Sequence, residues 1–187
     1  MYFVYPMDSW DNISQRYYSP WIFAPWKWHR GIDYVAPCGA PIYASNDGVV
    51  VREGYVSDYG NMVQIHHDNG YDTLYAHLDS RSPLNVNDRV DVHTMIGREG
   101  TTGLSTGCHL HFELRLGDKK LNPENFNFIT RQKYMDLENE IKRIDARLDD
   151  IYEYAVKNDK EKKVIDKKID NRYTKKQTKE LISKKCK

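Results

Sequence analysis

From Gly31 to about Phe128 the chain is a succession of short apolar or alternating runs, each cut off by a turn signal. That punctuation restricts what it can fold into. APIYAS, GVVVREGYV, NMVQIHH, YDTLYAHL, RVDVHTMIG and HLHFELRL have the length and alternation of strands. Between them lie NDG at 46–48, DNG at 68–70, GTTG at 100–103 and GDKK at 117–120. Asn-Gly and Asp-Gly pairs accept positive φ at little cost and close tight hairpins. Regular short strands joined this way predict a mainly β fold, an antiparallel sheet or sandwich. All four tryptophans (Trp10, Trp21, Trp26, Trp28) fall in the first 28 residues, a stretch also broken by Pro6, Pro20 and Pro25. Residues 1–28 are expected to wrap the β core as a long aromatic loop, giving a first domain over residues 1–128.

After Asn122-Pro123-Glu124-Asn125 the period changes. Tyr134, Leu137, Ile141, Ile144, Leu148, Ile151 and Ala155 are spaced alternately three and four apart, on a sequence free of Gly and Pro from 131 onward. That is an a/d seam over three heptads. It predicts a helix over about 131–155 within a helical, basic segment 131–187. Beyond it Asn158 and Lys162 fall on the seam, which weakens there. A narrow seam suits a partner helix better than docking on the chain's own β domain. The charge follows the same division, with 10 Lys and Arg against 15 Asp and Glu up to residue 130, and 18 against 12 beyond it. The basic end reads as a solvated helix face or tail, not as a specific nucleic-acid site.

Three cysteines, Cys38, Cys108 and Cys186, form no even, closely spaced framework. A Cys38–Cys108 bridge is conceivable, but three free thiols in a reducing cytoplasm is the expected state. No stretch is apolar for long enough to span a membrane. The start, MYFVYPMDSWDN, has neither the basic n-region nor the apolar run of a signal peptide.

The chemistry concentrates around GCHLHFEL at 107–114. In a strand, His109 and His111 project to one face and Leu110, Phe112 and Leu114 to the other. Two imidazoles about 6–7 Å apart at the Cα level suit a metal ligand beside a proton carrier. WHRGIDYVAP supplies His29 and Asp33 at H-x3-D spacing, and TLYAHLDS supplies His77 near a strand end. Taken singly these are weak signals, and the bland reading of each is a surface or satisfied polar residue. His66 and His67, adjacent in a strand before DNG, read as hairpin residues on opposite faces, and His93 as exposed. Tyr75 shares a face with His77 and is expected to line the same groove. Trp26 and Trp28 read first as core residues, with walls of the groove for a peptide or sugar as the alternative.

Taken together, these stretches resemble the lysostaphin/LytM-type zinc metalloendopeptidases. The resemblance covers about residues 12–128. It rests on HRGID at 29–33, APCGAPIYASNDGVVV at 36–51, YGNMVQIHHDNG at 59–70, TLYAHL at 73–78, IGREGTTGLSTGCHLHFEL at 96–114 and NPENF at 122–126. It implies that His29, Asp33 and His111 ligate Zn2+ and that His77 and His109 form the catalytic pair, in a groove over the sheet. Cys108 stands where the family commonly has proline, which puts a thiol within reach as an adventitious ligand. Glu113 has no equivalent of the glutamate base of H-E-x-x-H enzymes and is expected to be structural or to support a ligand.

Three protein ligands leave a coordination position for water and substrate, and two imidazoles with one carboxylate leave the site at net +1. The resemblance therefore implies hydrolysis of peptide crosslinks in bacterial peptidoglycan. A wall substrate without an export signal suggests a bacteriophage product. The seam-bearing helix suggests anchoring to other tail proteins, or self-association, in the virion. A free phage endolysin is the alternative, and a wall-binding tail protein without catalysis is the reading of another class.

Overall fold

The computed structural model describes residues 2–158. The strands are β1 (Phe3–Val4), β2 (Asn12–Gln15), β3 (Pro20–Trp21), β4 (Ala24–Trp28), β5 (Ile32–Val35), β6 (Pro41–Tyr43) and β7 (Gly48–Val56). They continue as β8 (Gly60–His67), β9 (Asp72–Leu78), β10 (Arg89–Val90), β11 (Met95–Arg98), β12 (Leu110–Leu116), β13 (Lys119–Leu121) and β14 (Phe128–Ile129). Among the described residues one α-helix, α1, spans Arg131–Asn158, after a short 3-10 turn at Pro123–Asn125. The chain divides into a β unit ending at Phe128 and a second unit beginning at Ile129.

The main sheet runs β10-β7-β8-β9-β12-β5-β2, with β13 also paired to β12. Every pairing in it is antiparallel. The mainly antiparallel β fold expected from the turn punctuation is thus present. Alternation along β12 sorts its side chains as two-residue periodicity requires. Leu110, Phe112 and Leu114 are wholly buried. Leu110 and Phe112 join Ile32, Tyr34, Val50, Val63, Ile65 and Tyr75 in the core. The opposite face of β12 carries His111, Glu113 and Arg115.

Two expectations need correction. The first 28 residues are not a loose wrap. β2 extends the sheet beside β5, and β3 and β4 form a separate two-stranded pair. Phe3, Val4 and Met7 are buried core residues. The prolines misled because Pro20 begins a strand and Pro25 lies in a two-stranded ribbon, positions that lose no central ladder bond.

Cys38 and Cys108 are not free thiols either. They form a disulfide with Cα atoms 5.5 Å apart, across 70 residues of sequence. The loop holding Cys38 turns at Gly39, φ 84°, and its Gly39 amide donates to the Glu99 carbonyl at 2.9 Å. The Gly100–His109 bridge brings Cys108 to the same place. Nothing local in sequence marks that meeting of two loops. A paired Cys108 is no adventitious metal ligand. Cys186 lies outside the described residues.

Helix α1 starts where Thr130 caps it, its hydroxyl accepting from the Lys133 amide at 3.2 Å. Along the seam Tyr134, Ile141 and Ala155 are buried, whereas Ile144 and Ile151 are exposed. The seam positions beyond Asn158 and nearly all of the basic end fall outside the described residues. No helix among the described residues is long and apolar enough to cross a membrane.

Candidate metal centre and active-site groove

The floor of the site is fixed by sheet register. His111 on β12 lies directly opposite Asp33 on β5, so both side chains rise from one face of adjacent strands. His29, one residue past β4, comes over the same spot just before the close approach at Gly31. Only glycine fits there, since a Cβ on Gly31 would meet the Phe112 carbonyl oxygen at 2.6 Å and His111 Cε1 at 2.7 Å. His29 Nε2 lies 3.0 Å from His111 Nδ1 and 3.1 Å from Asp33 Oδ1, and His111 Nδ1 lies 2.7 Å from the same oxygen. All three residues are buried.

The residues around these three tie down the far side of each ring. His29 Nδ1 donates to the Arg16 carbonyl at 3.2 Å, which leaves Nε2 as the lone pair facing Asp33 and His111. His111 Nε2 donates to Glu113 Oε1 at 3.1 Å, which reserves Nδ1 for the cluster. Histidine ligands ordinarily pass their second N–H to a carbonyl or carboxylate in this way. Glu113 is itself held by Arg115, Lys120 and Tyr59, so its expected supporting place is the one it occupies. Burial would raise the Glu113 carboxyl, but His111, Lys120 and Arg115 outweigh it and keep it well below the usual carboxylate range.

Asp33 behaves likewise. Burial would raise it, and the close contacts with His111 and His29 hold it below the ordinary value. For His111, burial works downward, yet the hydrogen bonds to Asp33 and Glu113 prevail and raise it to about 9. Without a metal, His111 is therefore a cation between two carboxylates. A divalent ion at Nδ1 would take the place of that proton. Two imidazole nitrogens and one carboxylate oxygen, about 3 Å apart and anchored from behind, form a donor set that fits zinc and leaves a position free.

His77 and His109 stand at the rim of this cluster. Their ring centroids are 4.6 Å apart, and His109 Nε2 is 3.8 Å from Asp33 Oδ2. Each ring is oriented by a backbone carbonyl, His77 Nδ1 by Thr102 at 2.8 Å and His109 Nδ1 by Gly107 at 2.9 Å. Both therefore keep Nε2 as a lone pair. Burial, and then the neighbouring His109 and His111, push His77 down to about 4, so it is neutral at ordinary pH.

All five residues singled out in the sequence, His29, Asp33, His77, His109 and His111, line one groove with Trp21, Phe23, Trp28, Leu104 and Tyr59. Tyr75 does not join them. His77 has φ 61°, a left-handed backbone that breaks the two-residue alternation of β9. His77 turns to the groove while Tyr75 points into the core, its hydroxyl accepting from the Ser45 amide. Trp26 and Trp28 are not core residues, being 79% and 45% exposed. Trp28 stacks on Tyr18 with centroids 4.7 Å apart. His66 and His67 do face opposite ways, His66 exposed and His67 buried against Thr73 at 2.7 Å. His93 is exposed. The carbonyls of Arg16, Thr102 and Gly107 were invisible to sequence reasoning, because a backbone acceptor has no residue signature. Glu113 and Arg115 were legible as i+2 and i+4 from His111 on one strand face.

Comparison with known proteins gives the family. The chain is 48% identical over 102 residues to the DD-carboxypeptidase/endopeptidase Mpg of Neisseria meningitidis serogroup B, which covers 54% of this chain and 23% of that protein. It is 42% identical over 113 residues to the peptidoglycan DD-endopeptidase ShyC of Vibrio cholerae, covering 60% of this chain and 26% of that protein. The chain thus spans about a quarter of the length of these relatives. Among solved structures, the catalytic domain of the prophage-encoded M23 protein EnpA from Enterococcus faecalis superposes with a TM-score of 0.53 at 31% identity, over 65% of this chain and 89% of that one. The profile of peptidase family M23 matches residues 27–123, and the chain belongs to that family.

Proposed function

We propose that the chain is a zinc-dependent endopeptidase that cuts peptide crosslinks of bacterial peptidoglycan, with His29, Asp33 and His111 as metal ligands and His77 and His109 as the catalytic pair. The observation that carries this is the meeting of those five side chains in one groove, three with converging donor atoms and two with free Nε2 lone pairs beside them. The name of the relative ShyC supports the substrate.

Zinc bound to the three ligands would supply a Lewis acid for the scissile carbonyl and lower the pKa of water near 7. The remaining work falls to the chain. Amide hydrolysis requires one proton to leave the attacking water and one to reach the departing nitrogen as the C–N bond breaks. His109 Nε2, beside Asp33, is placed to accept the first and return it to the amine. His77, neutral and hydrogen-bonded through Nδ1 to Thr102, turns its Nε2 lone pair toward the same space and is placed to share that proton. The exposed Trp28 and Phe23 give the groove an apolar wall along which an extended peptide can lie.

The finer role we propose is that of a phage tail-associated lysin, opening the wall locally for DNA entry. Support comes from the likeness to a prophage-encoded M23 protein and from the heptad seam on α1, which suits helix–helix anchoring to tail proteins or to a second copy. The disulfide fits a protein that ends in an oxidising place such as a virion surface.

The test is mass spectrometry of muropeptides released from purified walls by the wild type and by His109→Ala. Crosslinked dimers should give way to monomers with the wild type, and the variant should leave them intact. Equal release by both would reject the assignment.

A further inference from the structure

The Cys38–Cys108 disulfide has no part in the chemistry above, yet it ends one residue before His109. The stretch 101–108 that leads into His109 contains no strand. It contributes Leu104 and Thr106 to the groove. Several of its hydrogen bonds are internal, such as Ser105 Oγ to the Gly107 carbonyl at 2.7 Å. The His109 ring depends on this loop directly, because its Nδ1 proton goes to Gly107, two residues back.

At its other end the disulfide meets well-tied backbone. The Gly39 amide donates to Glu99 at 2.9 Å, the Glu99 amide to Ala40 at 2.8 Å, and the Ala36 amide to Glu99 Oε1 at 3.2 Å. Thr102 and Leu104 are tied outside the loop, to Asn61, His77, Leu78 and Asp58, so the disulfide fastens the 105–108 end, next to His109, to backbone anchored on a buried residue. His111 needs no such fastening, since the β5 and β9 ladders hold it on both sides.

We propose that the Cys38–Cys108 disulfide is a positioning element for His109, and that oxidation of this pair sets catalytic competence without setting metal binding. The inference rests on the peptidase reading for its activity arm. In the reduced chain the Gly107 carbonyl is free to drift, His109 Nδ1–H loses its fixed acceptor, and Nε2 loses its aim. His29, Asp33 and His111 keep their places. Closure breaks two S–H bonds and forms one S–S bond. Two electrons and two protons pass to an oxidant of the disulfide class, which leaves as two thiols. A chain made with reduced thiols would thus stay slow until it reached an oxidising medium.

The experiment uses the full zinc-loaded chain in three forms: oxidised, reduced with a phosphine, and with Cys38→Ser and Cys108→Ser combined. A disulfide closing so long a loop also stabilises the fold at large. The forms are therefore compared at a temperature where all are folded, and by readouts that general stability does not move. We expect one zinc per chain in each form. We expect the His109 amide, which donates to Gly100, to exchange roughly tenfold faster without the bond, while amides of Phe112–Leu114 stay unchanged. On a soluble crosslinked muropeptide, kcat should fall about ten- to a hundredfold with KM little changed. Oxidised glutathione should restore the wild type and not the double variant.

Equal kcat with and without the bond overturns the proposal. So does loss of zinc on reduction, or faster exchange spread evenly along β12. If the double variant does not fold, reduction and reoxidation of the wild type decide. If the oxidised wild type cuts nothing, the peptidase reading fails, and exchange at His109 still decides whether the bond positions it.

Discussion

The two histidines of the H-x-H motif are held by different means. His111 sits in the middle of a ladder, opposite Asp33 on one side and Ala76 on the other. Its position is a consequence of register, and a slip of one residue would turn it into the core. His109 stands just before β12, and a loop carbonyl and a nearby disulfide set its ring. On the proposed assignment, one strand thus delivers a rigid ligand and a loop-set proton carrier two residues apart. The pair teaches that sheet pairing fixes where a metal could sit, while loops fix the aim of the side chain set beside it.

The largest effect that could break this contrast is His111→Ala. It removes a proposed ligand, so zinc content should fall to background and wall clearing should drop more than about a thousandfold. Retained zinc would show that the floor is not the metal site. Next comes His109→Ala, which should keep one zinc per chain and lose about 10²–10⁴ in kcat, the usual range for a proton-transfer group. Should zinc be lost as well, the division between floor and rim would vanish.

Glu113→Gln probes the support behind the floor. The amide can still face His111 but no longer carries the charge that Arg115 and Lys120 neutralise. Zinc affinity should weaken about 10–100-fold, measured by competition with a chelating dye. An unchanged affinity would make Glu113 a purely structural ion-pair centre.

The gentlest test is pH. In the metal-free protein His111 is raised to about 9, so below that pH zinc uptake must displace its proton. Affinity should therefore fall about tenfold for each unit of pH lowered between 8 and 6. His77, pushed down to about 4, stays neutral across that window and adds nothing to the slope. A flat profile would mean that His111 is already unprotonated without metal.

The readable and unreadable parts of the sequence divide along the same line. Alternation in HLHFELRL announced which face of β12 was buried, and the heptad spacing announced α1, because both patterns are local and periodic. Tyr75 was misplaced because a left-handed residue, His77, interrupts the period where no glycine marks the break. The disulfide was not expected because its cysteines lie 70 residues apart and are brought together by the pairing of β5 with β12 and of β6 with β11, which no local pattern marks. The tryptophans were weighed toward the core because an aromatic residue reads the same whether it fills a core or lines a groove.

Zinc stoichiometry in the untagged chain tests the account most directly, measured by elemental analysis after dialysis against zinc and then against metal-free buffer. One zinc per wild-type chain, one in His109→Ala and none in His111→Ala is the predicted result. A wild type that holds no zinc, or a His111→Ala chain that holds as much as the wild type, would contradict it.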